Sequence, residues 1–198
     1  MTSLTNVEAV RKMAAKLNVE MDYEQVRMLA TCISCQKYKK GEIILNENEV
    51  CEKLSYVEQG MARQFYYKDK KEVTEHLGYE ESFVVCVESY LKQIPTHLMI
   101  EALEPLVLWS ISKTEIERLS SENAMVGIFY RKIIEKCLLQ SQIKADTMRF
   151  ESAQNKYLKL LRLHPEIVKR APLVHIASFL QITPETLSRI RASVLSAE

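Results

Sequence analysis

Near the end of the chain, Thr183, Glu185, Thr186, Ser188, Arg189 and Arg191 combine residue types that can read a duplex. A carboxylate accepts from cytosine N4, an arginine grips guanine O6 and N7 with two N–H groups, and short hydroxyls reach phosphates or base edges. Their spacing predicts one helix over 183–195. Thr183 stands where an N-cap belongs, Pro184 suits the first helical position, and Leu187, Ile190 and Val194 recur on the opposite, apolar side. Just upstream, Pro172 suits a first turn, and Val174, Ile176, Ala177 and Leu180 give a second short helix its apolar face. Two short helices joined by a tight turn, with the polar face on the second, describe a helix-turn-helix whose second helix enters a major groove. An ordinary helical hairpin with a solvated face is the plainer alternative.

Other constellations are weaker. His76, His97, His164 and His175 lie far apart, there is no glycine-rich phosphate loop, and no nucleophile sits in a recognisable elbow, so the sequence predicts a protein that is not an enzyme. His175 is expected at the surface or facing phosphate. Cys32-Ile-Ser-Cys35 is the one close cysteine pair, with Cys51 and Cys86 as further thiols. A metal or iron–sulfur site wants a second close pair or a compact Cys/His set, so no metal and no cofactor are expected, and the thiols should be reduced. No apolar run approaches the ~18 residues of a membrane span, and the opening residues do not form a signal peptide; a cytoplasmic protein without membrane contact is expected.

The net charge of +1 conceals a division: residues 156–198 carry +4 and residues 1–155 carry −3. The basic excess falls where a phosphate-binding element would need it. Upstream, residues 5–18 and 22–35 carry apolar residues at helical spacing. Residues 36–111 change to short runs rich in strand formers, at Tyr38–Leu45, Leu54–Glu58, Met61–Tyr67, Val73–Leu77, Ser82–Val87, Leu98–Ala102 and Leu106–Ile111, which predicts an all-β antiparallel sandwich or barrel. Ser112 with Glu115 is a capping-box pattern. A helix from about Ala124 to Glu151 follows, with Val126, Phe129, Tyr130, Ile133, Ile134, Cys137 and Leu138 as a wide apolar stripe. That stripe exceeds what one side needs for packing on the β unit, so a second copy of the helix is the expected partner. Another helix spans 153–163 and stops at His164-Pro165.

An antiparallel β unit, a long helix and a helix-turn-helix make the chain resemble the Crp/Fnr family of bacterial transcription regulators. The segment Ile176-Ala-Ser-Phe-Leu-Gln-Ile-Thr-Pro-Glu-Thr-Leu-Ser-Arg-Ile-Arg191 is similar to that family's DNA-reading motif, and Tyr38, Gly41, Leu45 and Gly60 fit the turns of its cyclic-nucleotide-binding fold. The resemblance implies an α+β chain: an N-terminal β-roll or jelly roll with flanking helices over 1–122, a dimerisation helix over 123–151, and a DNA-binding head over 152–198. It implies a homodimeric, sequence-specific regulator bound to double-stranded DNA at a near-palindromic site. RNA polymerase and an unidentified small-molecule effector would be further partners. By position, Glu185 and Arg189 match the family's base-contacting Glu and Arg, while Pro184 replaces another base reader. Few residues follow Arg191, so the usual β wing is expected to be absent. In the nucleotide pocket, Val85 and Cys86 take the places of a glycine and a glutamate, and Thr96 and His97 fall near an Arg-Ser pair. With no arginine between Arg63 and Arg118, no response to cyclic AMP or cyclic GMP is expected. The alternative is a ligand-binding or interaction module of the same fold with vestigial DNA binding.

Overall fold

The computed structural model describes residues 5–195; the expectations of a start without a signal peptide and an end without a wing lie partly outside these residues. Two helices open the chain, α1 (Asn6–Lys16) and α2 (Tyr23–Cys32), each begun by a capping box: Thr5 with Glu8, and Asp22 with Gln25. The second ends earlier than expected. Ile33 is already extended as the C-cap, and Ser34 starts a strand opposite Ser110, so residues 34–35 belong to the sheet.

Eight strands follow: β1 (Ser34–Tyr38), β2 (Ile43–Leu45), β3 (Lys53–Gln59), β4 (Ala62–Lys68), β5 (Lys71–Gly78), β6 (Phe83–Val84), β7 (Met99–Ala102) and β8 (Leu106–Ser112). They form two four-stranded antiparallel sheets, ordered β1-β8-β3-β6 and β2-β7-β4-β5, giving the expected jelly roll. Gly60 makes the β3–β4 turn at φ +95°, where an added Cβ would stand 2.9 Å from Leu106 Cα, so the turn needs glycine for both conformation and space. The β unit is not all strand: of the strand expected over 82–87 only Phe83–Val84 forms, and α3 (Val87–Lys92) begins at its last residue. Leu54, Tyr56, Val57, Phe83, Leu108 and Trp109 fill the interior, and Val10, Met13, Leu29 and Ile33 close one side.

Ser112 caps α4 (Lys113–Glu122) by accepting from Glu115 N–H at 3.2 Å, but the Glu115 carboxylate turns to Arg118, so only half of the expected box forms. The next helix, α5 (Ala124–Phe150), has 27 residues and is about 40 Å long. Its apolar stripe divides. Val126, Phe129 and Ile133 are buried on the roll, and Tyr130, Ile134 and Cys137 pack partly against the same core. Of the stripe expected to face a second copy, Leu138 alone stays exposed; the open apolar surface lies farther along, at Leu139 (61% exposed) and Ile143. Most of the stripe therefore satisfies its own chain.

The last described stretch is helical: α6 (Ala153–Leu163), α7 (Pro165–Arg170), α8 (Leu173–Phe179) and α9 (Pro184–Leu195). Pro165 stops α6 and begins α7, its missing N–H costing nothing at a first helical position. Tyr157, Leu160, Ile167, Ile176, Ala177, Leu180 and Leu187 form the core of this head. Met61 and Leu77 of the roll join the same cluster, so the head rests on the β2-β7-β4-β5 sheet.

Candidate nucleic-acid interface and ligand cassette

In α9 the sequence expectations can be followed residue by residue. Thr183 accepts Thr186 N–H on its hydroxyl at 3.2 Å and Leu187 N–H on its carbonyl at 3.0 Å, so it caps the helix that Pro184 begins. Leu187 is fully buried and Ile190 and Val194 pack against the head core. That orientation leaves Thr183, Glu185, Ser188 and Arg189 exposed and Thr186 and Arg191 half-buried along the outer side. Glu185 is held below the usual carboxylate range by its own backbone N–H and the Thr183 hydroxyl, which keeps it an acceptor-only anion. Arg189 Nη2 donates to Thr186 Oγ1 at 3.3 Å, and Thr183 donates to the same oxygen at 3.2 Å. The six residues thus form one continuous polar face.

The first helix of the pair differs from expectation. Pro172 is its N-cap rather than its first residue, and Val174 is 56% exposed while Ile176, Ala177 and Leu180 are buried. Gln181 takes φ +56° in the turn, and Ile182 N–H reaches back to Ala177 O at 3.0 Å. His175 neither projects from the surface nor faces open space for a phosphate: it is half-buried against Arg63.

That contact belongs to a lock that the sequence did not reveal. Arg63 on β4 is fully buried, with Nη1 2.9 Å from His175 Nε2, Nη2 2.5 Å from Glu72 and Nε 3.0 Å from Glu101, above the Phe65 ring. Burial, then the Arg63 charge, depresses His175 to about 4, so it is neutral near pH 7 and can accept from the guanidinium. The Arg63 hydrogen bond holds Glu72 low, whereas burial raises Glu101 despite the same arginine. Around the lock, Thr74 N–H donates to Ser178 Oγ at 2.8 Å, and Arg170 pairs with Glu80 at 2.6 Å and with Glu104. Lys144 of α5 pairs with Glu75 at 2.9 Å and lies over the Phe179 ring, tying the long helix to α8.

The cassette between β6 and β7 has different chemistry. Val85 and Cys86 are buried side chains of the β6–α3 corner. Cys86 N–H donates to Cys51 Sγ at 3.4 Å, Cys51 N–H to Ser89 Oγ at 2.9 Å, and Ser89 in turn to Ile94 O at 2.5 Å. The neighbouring Cys51 thiol and burial both push the Cys86 thiol up, so Cys86 stays protonated. Gln64 reaches Cys86 Sγ from the facing sheet. Thr96 is spent on the local backbone, accepting Leu98 N–H at 3.0 Å, and His97 is exposed, 3.6 Å from Glu47. The expected four residues therefore do not converge: Val85 and Cys86 lie inside, Thr96 and His97 at the rim.

A cyclic nucleotide needs a cation or a free N–H cradle for its phosphate. The groups here are thiols, amides and hydroxyls already bonded to one another, and Arg63 faces His175 on the head side of its strand. These residues do not fit a cyclic phosphate. Tyr90 of α3 meets Tyr130 of α5 edge-on at 6.4 Å, so the cassette and the long helix are in contact.

Among the described residues no group of three or more His, Cys, Asp or Glu gathers as a metal site would require, and no helix is long and apolar enough to cross a membrane. Cys32 Sγ donates to the Glu115 carboxylate, 3.2 Å away. Residues 35–123 match the family described as the cyclic nucleotide-binding domain. Among solved structures, FixK2 from Bradyrhizobium japonicum is 18% identical with a TM-score of 0.70, covering 83% of this chain and 85% of that one. The c-di-GMP responsive global regulator CLP from Xanthomonas campestris is 15% identical with a TM-score of 0.65, over 89% and 93%. A protein from Eubacterium rectale described as a transcriptional regulator of the crp/fnr family is 19% identical with a TM-score of 0.65, over 89% and 85%. No curated protein matches by sequence. At these identities the likeness is one of fold.

Proposed function

We propose that this chain, which has the fold of the Crp/Fnr transcription regulators with a cyclic nucleotide-binding domain at residues 35–123, is itself a regulator of that family acting as a homodimer on duplex DNA. The observation that carries the reading is the outer face of α9, where Glu185 and Arg189 are exposed on a helix capped by Thr183 and anchored by Leu187. Thr183, Thr186, Ser188 and Arg191 supply the surrounding phosphate or base contacts. In this reading residues 1–122 sense, 123–151 dimerise and 152–198 bind DNA, and RNA polymerase and an effector are the further partners. Two recognition helices about 34–36 Å apart would enter successive major grooves of a near-palindromic site.

Dimerisation uses the open apolar stretch of α5 at Leu138, Leu139 and Ile143, since the rest of its stripe is spent within the chain. Sedimentation and a duplex mobility shift test both halves of the reading: the wild type should sediment as a dimer and retard DNA. Leu139→Asp should yield a folded monomer that retards it poorly. A wild-type monomer, or a dimer without DNA binding, would refute it.

The cassette chemistry supports an effector other than a cyclic mononucleotide. Burying a phosphate among paired thiols and amides without a cation is costly. Calorimetry at near-physiological salt should show no micromolar binding of cyclic AMP or cyclic GMP, and such binding by either would overturn this. The bonded chain of Gln64, Cys86, Cys51 and Ser89 supports a non-enzymatic role, because it presents no base beside an activated nucleophile.

A further inference from the structure

Lys68-Asp-Lys-Lys71 at the tip of the β4–β5 hairpin is a basic patch that the helix-turn-helix does not account for, and the geometry points to it as a second surface for duplex phosphates. The inference rests on the DNA-binding reading of α9. Asp69 and Lys70 take φ +50° and +62°, closing a two-residue turn over the Lys68–Lys71 pair. Such a turn matches the twist of its strands and holds the tip firmly. Lys68, Lys70 and Lys71 are exposed and make no ion pair among the described residues. By contrast Arg63, Lys144 and Arg170, the cations of the adjoining head contact, are all paired. Residues 68–71 carry a net +2, and the nearest further acid, Glu72, is turned to Arg63 and Tyr67.

Placement gives these lysines their target. The hairpin runs alongside α8 and is bonded to it: Ser178 accepts from Thr74 N–H, and His175 contacts the arginine that holds Glu72. Ser178 also donates to Glu72 O, so the C-terminal part of α8 lies level with residues 72–74, while His175 meets Arg63, whose register partner on β5 is Leu77. At about 3.3 Å per strand residue, the tip at residues 69–70 continues roughly 7 Å beyond the level of residue 72. In a helix-turn-helix complex the first helix crosses the phosphate backbone. A rigid hairpin fastened along that helix carries its three ammonium groups towards the same row of phosphates. Flexible point charges suit phosphates and carry no sequence information.

The test is anisotropy of the full chain on a random-sequence duplex pool between about 50 and 200 mM salt, the range in which released counterions report phosphate contacts. The triple change Lys68→Ala, Lys70→Ala, Lys71→Ala should weaken binding and lower the salt slope by about 2.7 units, at roughly 0.9 per lost contact. The triple change to arginine should restore the slope. The tip is exposed, so thermal unfolding should not move. A wild type that binds with a slope the alanine changes leave untouched overturns the inference alone. So does an alanine triple that keeps DNA affinity but loses capture of RNA polymerase, which would assign the tip to a protein. A wild type that binds no duplex overturns the DNA-binding reading and this inference with it.

Discussion

Replacing Arg63 by methionine is expected to lower the unfolding free energy by about 3–5 kcal/mol, the range seen when one partner of a buried ion pair is removed. Arg63 is fully buried and serves three groups at once: Glu72, Glu101 and His175. Methionine replaces much of the volume but leaves Glu101, 19% exposed, without its cation, while Glu72, 43% exposed, can turn to water. The loss should therefore fall mainly on Glu101. Urea unfolding of Arg63→Met alone and combined with Glu101→Gln separates the two costs, because neutralising Glu101 should recover part of the loss. A loss below about 1 kcal/mol would mean that the head does not bury this arginine on the roll. Since the lock joins the roll to α8, the same variant should expose the head to proteolysis before the sheets.

The second large effect concerns recognition. Arg189→Ala should cost roughly 1–3 kcal/mol on the preferred duplex and much less on scrambled ones, the signature of a lost base contact. Arg189 is exposed and among the described residues bonds only to Thr186, at 3.3 Å, so its removal should leave folding intact. Equal losses on both duplexes would make Arg189 a phosphate contact and leave Glu185 as the reader.

Legibility in the sequence followed the range of the interactions involved. Helix α9 was readable because its signals are local: a capping threonine, a proline at the first helical position, and Leu187, Ile190 and Val194 one or two turns apart. The jelly roll was readable from strand composition and turns, although six-residue α3 and α7 were too short to leave a periodic trace. The fate of the α5 stripe was not readable, because a helix pattern does not say whether an apolar residue meets its own sheet or a second chain. Arg63 was hidden for a similar reason. Within Met61–Tyr67 it reads as an outward-facing polar residue, and only the docking of α8, more than a hundred residues later, buries it. The same contact moved His175 out of the solvent-facing role that its position on the first helix suggested. In the cassette the sequence disclosed the missing arginine but not the substitute network of Cys51, Cys86 and Ser89, which long-range packing assembles.

Selection from a random duplex library with the purified protein tests the central claim most directly. The account predicts recovery of a near-palindrome whose half-sites are centred about one helical turn apart, with selectivity lost in Arg189→Ala. Recovery of no common sequence, with weak binding to every duplex alike, would contradict it and leave a sensing module whose head does not read DNA.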